Sequence, residues 1–109
     1  MSEHIQELND RSFQAAVSAG VVLVDFWAPW CGPCRMQGPI LESVAQQLGA
    51  AARIYKVNVD EAPRTATSFG IQAIPTLVLL KDGKVVKVMT GVQQAAVLIK
   101  AVADASGRA

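Results

Sequence analysis

Cys31 and Cys34 are the only cysteines in the chain, and they stand one helical turn apart in Trp30-Cys31-Gly32-Pro33-Cys34. Two thiols at that spacing can work as a reversible dithiol. Along a helix their α-carbons would be separated by about 5.4 Å of rise or less, inside the roughly 4.4–6.8 Å window that a disulfide accepts, so the ring can close with little strain. A single cysteine pair in a short chain points to redox or metal chemistry more than to stapling. The same spacing supplies half of a tetrahedral zinc set. The other half would have to come from His4, carboxylates or a second chain, because no further cysteine or histidine exists.

The elements around the pair place it. Val21-Val22-Leu23-Val24-Asp25-Phe26-Trp27 is apolar and β-branched enough for a buried strand. The cysteines therefore follow a strand's carboxyl end, the edge where active groups collect in open α/β sheets. A helix is predicted from Pro33 to Leu48, with Met36, Ile40, Leu41, Val44, Ala45 and Leu48 on one stripe and Gly49 as its exit. Pro39 should kink that helix without ending it. Upstream, a short strand at Ile5 to Leu8 and a helix over Arg11 to Ala19 are expected. Downstream come a strand at Ile54 to Val59 and a helix from Ala62 to Phe69 capped by Asp60. Asp82-Gly83 then suits a type I′ turn between strands Thr76 to Leu80 and Val85 to Met89. A last helix over Gln93 to Ala105 carries Ala96, Val97, Ile99, Ala101 and Val102. The order β-α-β-α-β-α-β-β-α implies an α/β fold: a five-stranded mixed sheet flanked by four helices.

Composition narrows the function classes. With 109 residues, 51% hydrophobic, and a net charge of +1, the chain fits one domain spanning residues 1–109. Its lysines and arginines are scattered, which gives no footprint for nucleic acid or an anionic membrane. The N-terminus has no basic start followed by an apolar stretch, and no apolar run approaches the roughly 20 residues that span a bilayer. A cytoplasmic protein is expected. His4 is isolated and reads as a surface residue, while Met36 and Met89 read as core.

Four elements in order, Asp25-Phe26-Trp27-Ala28, Trp30-Cys31-Gly32-Pro33-Cys34, Ile74-Pro75-Thr76 and Lys81-Asp82-Gly83, make the chain resemble the thioredoxin family from end to end. The resemblance implies reduction of disulfides in other proteins. It makes Cys31 the nucleophile, near a helix N-cap where unpaired amides and the dipole favour a thiolate, a lowered thiol pKa being a known property of thioredoxins. Cys34 becomes the resolving thiol, expected to be the more buried of the two, and the product is a Cys31–Cys34 disulfide. Asp25, a carboxylate among apolar neighbours, becomes the proton acceptor for Cys34 with a raised pKa, and Lys56 tempers that rise. Gly32 and Pro33 place no cation beside Cys31, so the pair should prefer to donate electrons. Pro75 matches the family's cis-proline, although X-Pro bonds are cis only about one time in twenty.

Trp30, Gly32, Pro33, Ile74, Pro75 and Gly91 would then form an apolar surface for many protein targets, with Trp27 as packing. Arg35 follows the motif where family members carry a basic residue, either lending mild positive potential to Cys31 or sitting in water. The family further implies a separate NADPH-dependent flavoprotein thioredoxin reductase as partner. It implies no bound cofactor, since the chain lacks a phosphate-cradling glycine motif, and a monomer is expected. Two other readings of the same fold compete: a redox-independent binding subunit of a larger assembly, and an oxidase or isomerase of an oxidising compartment. Gly32-Pro33 and the absence of a signal-like start argue against the second.

Overall fold

In the computed structural model, which describes residues 5–107, strands and helices follow in the predicted order. They are β1 (Ile5–Leu8), α1 (Phe13–Ala16), β2 (Val21–Trp27), α2 (Gly32–Leu48), β3 (Arg53–Asn58), α3 (Pro63–Ser68), β4 (Thr76–Lys81), β5 (Lys84–Thr90) and α4 (Ala95–Ala105). The sheet order is β1-β3-β2-β4-β5. β1, β3 and β2 run parallel, while β4 is antiparallel to both β2 and β5. His4 lies outside the described residues, and among those residues no helix is long and apolar enough to cross a membrane.

β2 is central and covered on both faces, which explains its nearly unbroken apolar run. Leu23 faces a core with Leu41 and Val44 of α2 and Leu98 of α4. Val22, Val24 and Phe26 face the opposite core, with Phe13 of α1 and Phe69 just after α3. Alternation along the strand puts Asp25 on the same face as Leu23, under α2. Asp82 and Gly83, with φ of 50° and 82°, make the left-handed turn expected of the β4–β5 hairpin. α2 continues through Pro39, as the apolar stripe beyond it required.

Four local expectations are corrected. α1 is only four residues long, because Asn9 and Ser12 tie up its entry. The Asn9 side chain accepts from the Arg11 and Ser12 amides at 2.9 Å, and the Ser12 hydroxyl accepts from the Asn9 amide at 3.0 Å. Asp60 does not cap α3. That helix starts from Ala62 without a local side-chain cap, and Asp10, far away in sequence, accepts from the Thr65 amide at 2.8 Å and the Arg64 amide at 3.3 Å instead. In α2, Met36 is 64% exposed while Gln37, which the stripe omitted, is buried completely. In α4 the inward residues are Leu98, Ala101 and Val102, and Val97 faces outward.

Candidate active site

Cys31 is the N-cap of α2. Its backbone is extended (φ −90°, ψ 112°) and its sulfur accepts a hydrogen bond from the Cys34 amide at 3.2 Å, with Pro33 in the helix's first turn. Pro33 suits that place because its missing N–H would have had no partner there. Cys31 and Cys34 are joined as a disulfide with their α-carbons 5.3 Å apart. The expected difference in burial is absent in this oxidised form: Cys31 is 5% exposed and Cys34 6%. The reason is cover from outside the helix, since Ala28 and Ile74 pack on the pair and the Cys31 sulfur lies 3.7 Å from the Ile74 carbonyl oxygen.

Three segments surround the disulfide. The first is 30–33, where the Trp30 side chain is 67% exposed and its indole N–H donates to the Asp60 carboxylate at 2.9 Å. Gly32 and Pro33 are exposed beside it, and a Cβ added at Gly32 would meet none of the described residues within 4 Å. The second is Ile74-Pro75, whose peptide bond is cis as the resemblance implied; Ile74 is half-buried and Pro75 buried. The third is Gly91, which has φ +88° and donates its amide to the Pro75 carbonyl at 2.8 Å. A side chain would be strained at that φ, so glycine belongs there. Arg35 projects outward and donates to the Pro29 carbonyl at 3.4 Å.

The sheet face under α2 carries a row of charges. Asp25 of β2 is in register with Lys56 of β3, and Lys56 with Glu7 of β1. Asp25 is 1% exposed, and among the described residues neither carboxylate oxygen has a hydrogen-bond partner. Burial therefore raises its pKa from 3.8 to about 7, with the Lys56 charge opposing the rise and the Glu7 charge adding to it. The Lys56 ammonium lies 4.2 Å from the centre of the Trp27 ring, and the Trp27 indole N–H donates to Glu7 at 3.0 Å. Trp27 is thus a packing residue that also holds the two charges in place.

A family model described as Thioredoxin matches residues 4–104. The chain belongs to the thioredoxin family. A thioredoxin of Bacillus subtilis (strain 168) is 52% identical over 87 residues, covering 80% of this chain and 84% of its own. One from Listeria monocytogenes serovar 1/2a is 49% identical over 87 residues with the same coverage, 80% and 84%. Thioredoxin 2 of Chlorobaculum tepidum is 50% identical over 93 residues, 84% of this chain and 85% of its own. With the cysteine pair at disulfide distance, this thioredoxin-family chain is a thiol-disulfide oxidoreductase, a protein-disulfide reductase.

Sequence reasoning missed Glu7 and Asp60 around this site, and the burial of Gln37 on α2. Glu7 carries no motif, and only its register beside Lys56 reveals its charge. Asp60 reads as a helix cap because it precedes a helix, yet its carboxylate serves the Trp30 indole. Gln37 is polar inside an apolar stripe, and that interruption was the one visible signal.

Proposed function

We propose that Cys31 attacks a target protein's disulfide as a thiolate, forming a mixed disulfide and expelling one target thiolate. Cys34 then gives up its proton and attacks the Cys31 sulfur. The Cys31–target bond breaks, the second target thiolate leaves, and the Cys31–Cys34 disulfide forms. The two electrons the target gains are those the enzyme's dithiol loses. The helix tip supports the first role: the Cys31 sulfur already accepts from the Cys34 amide, and the α2 N-terminus favours negative charge there.

The observation that carries the reading is the orphaned carboxylate of Asp25 on the face of β2 beneath α2. A carboxylate there that titrates near 7 can accept the Cys34 proton at neutral pH and release it afterwards. Lys56 limits the rise so that the base is still ionised when needed. The targets meet the surface of Trp30, Gly32, Pro33, Ile74 and Gly91. Gly32 and Pro33 leave the thiolate without a cationic neighbour in the motif, which favours the reducing direction. A separate NADPH-dependent flavoprotein reductase would restore the dithiol in the cytoplasm, with the protein acting as a monomer that holds no cofactor of its own. The test is insulin reduction followed by turbidity. Wild type accelerates it, Cys31→Ser abolishes the acceleration, and Cys34→Ser accumulates a covalent adduct with insulin. Wild type no faster than Cys31→Ser would refute the assignment, while a partner assembly that survives both serine variants would favour the redox-independent role.

A further inference from the structure

We infer that Gln37 is a positioning residue for target docking, a clasp that fixes the Gly91 segment against the redox helix. The inference rests on the proposed docking surface and deepens it. Gln37 follows Cys34 by one helical turn, so the two share the buried face of α2. Its side chain is wholly buried, and a buried primary amide is costly unless bonded.

Both of its bonds go to the main chain of one residue 56 positions away. Gln37 Nε2 donates to the Gln93 carbonyl at 3.0 Å, and Gln37 Oε1 accepts from the Gln93 amide at 2.7 Å. This is the two-way exchange that paired strand residues make, here made by a side chain. The Gln93 side-chain Nε2 donates back to the Thr90 carbonyl at 3.2 Å and the Gly91 carbonyl at 3.1 Å. Gly91 in turn donates to Pro75, and the Ile74 carbonyl lies against the Cys31 sulfur. The contacts form a continuous path from α2 through Gln93, Gly91 and the cis-proline back to Cys31.

An apolar residue at position 37 would still fill the space, but it would leave the Gln93 N–H and C=O facing a dry wall. Unpaired buried groups of that kind are unfavourable, so the segment would lift toward water and take Gly91 with it. A protein target laid across the three segments would sense that shift. A small disulfide that meets only the sulfur would not.

The test variant is Gln37→Met, which keeps the length of the side chain and removes its polar atoms. For insulin reduction, KM is expected to rise about three- to tenfold with kcat little changed, the range a net lost hydrogen bond produces. The reaction of the reduced protein with oxidised glutathione and the redox potential stay at wild-type values, and hydrogen exchange at the Gln93 amide becomes faster. An unchanged KM for insulin overturns the inference whether or not the Gln93 amide exchanges faster. So does an equal loss toward insulin and glutathione, which would mark a general structural role. Should Gln37→Met fail to fold, wild-type exchange decides: a protected Gln93 amide supports the clasp and one exchanging at the solvent rate removes it. A wild type that fails to reduce insulin defeats the proposed function, and the Gln93 exchange then still judges the clasp by itself.

Discussion

Replacing Asp25 by asparagine should raise stability relative to wild type progressively as the pH rises. The folded protein holds Asp25 protonated up to about 7, whereas its unfolded value is 3.8. Between those values the native state binds more protons than the unfolded chain, so wild-type stability falls as pH rises. Below the window both states are protonated and above it both are ionised, so the slope disappears at each end. Each pH unit inside the window is worth about 1.4 kcal/mol, giving a change of about 4 kcal/mol across it for a carboxylate raised from 3.8 to about 7. The asparagine lacks this titration. The gap between variant and wild type should therefore widen by that amount between about pH 4 and about pH 8, whatever offset the amide itself introduces. Guanidinium titrations of the oxidised proteins measure it, because no thiol then titrates and the other groups cancel in the difference. The widening corresponds to roughly 1–2 M in the midpoint for a domain of this size. A gap that stays constant within about 0.5 kcal/mol across that range, or one that widens toward acid, would refute the buried-carboxylate argument.

The neighbouring charges should move the same inflection in opposite directions. Lys56→Met removes the charge that opposes the rise and shifts the upper end of the window higher, while Glu7→Gln removes the charge that adds to it and shifts it lower. Both are read from the pH at which the stability curve of the oxidised protein levels off, and identical curves would show that neither charge reaches Asp25. Pro33→His places a cation-forming side chain in the first turn of α2 beside Cys31. It should stabilise the reduced thiolate and make the protein more oxidising, by about 30 mV for each tenfold change in equilibrium constant. A glutathione redox titration showing no shift, or one toward lower potential, would count against that reasoning.

What was legible in the sequence follows from how local each signal is. The strand and helix order rests on runs such as Val21 to Trp27 and on Asp82-Gly83, whose conformations their own atoms dictate, and these survive folding unchanged. The N-cap role of Cys31 is equally local, since Pro33 two positions on fixes where the helix begins. The cis bond before Pro75 came only from resemblance, because an X-Pro pair by itself favours trans. The errors fall where a partner is remote. Asp10 caps α3 across 55 residues of chain, so Asp60, the nearer candidate, was given the role wrongly. Met36 and Gln37 exchanged places for the same reason. Helical periodicity counts apolar residues, and it has no means of knowing that a backbone segment near Gln93 would satisfy an amide more fully than a solvent-facing thioether satisfies a core.

The cost that Asp25 imposes and the work it does have one origin. A carboxylate with hydrogen-bond donors in its pocket would be cheaper to bury, but each donor would favour the charged form and pull its pKa down. It would then sit ionised throughout the physiological range and bind the Cys34 proton too weakly to take it. Burial, with no hydrogen-bond partner on either oxygen among the described residues, keeps its pKa at about 7. Lys56, held over the Trp27 ring instead of against the carboxylate, opposes the rise through its charge without becoming a hydrogen-bond partner. A variant that supplied a donor, Leu77→Asn in register with Asp25 on β4, tests this directly. It should lower the pKa of Asp25, flatten the stability curve between about pH 4 and 7, and slow resolution of the mixed disulfide trapped with insulin. A flatter curve with unchanged resolution would separate the buried carboxylate from the chemistry above it.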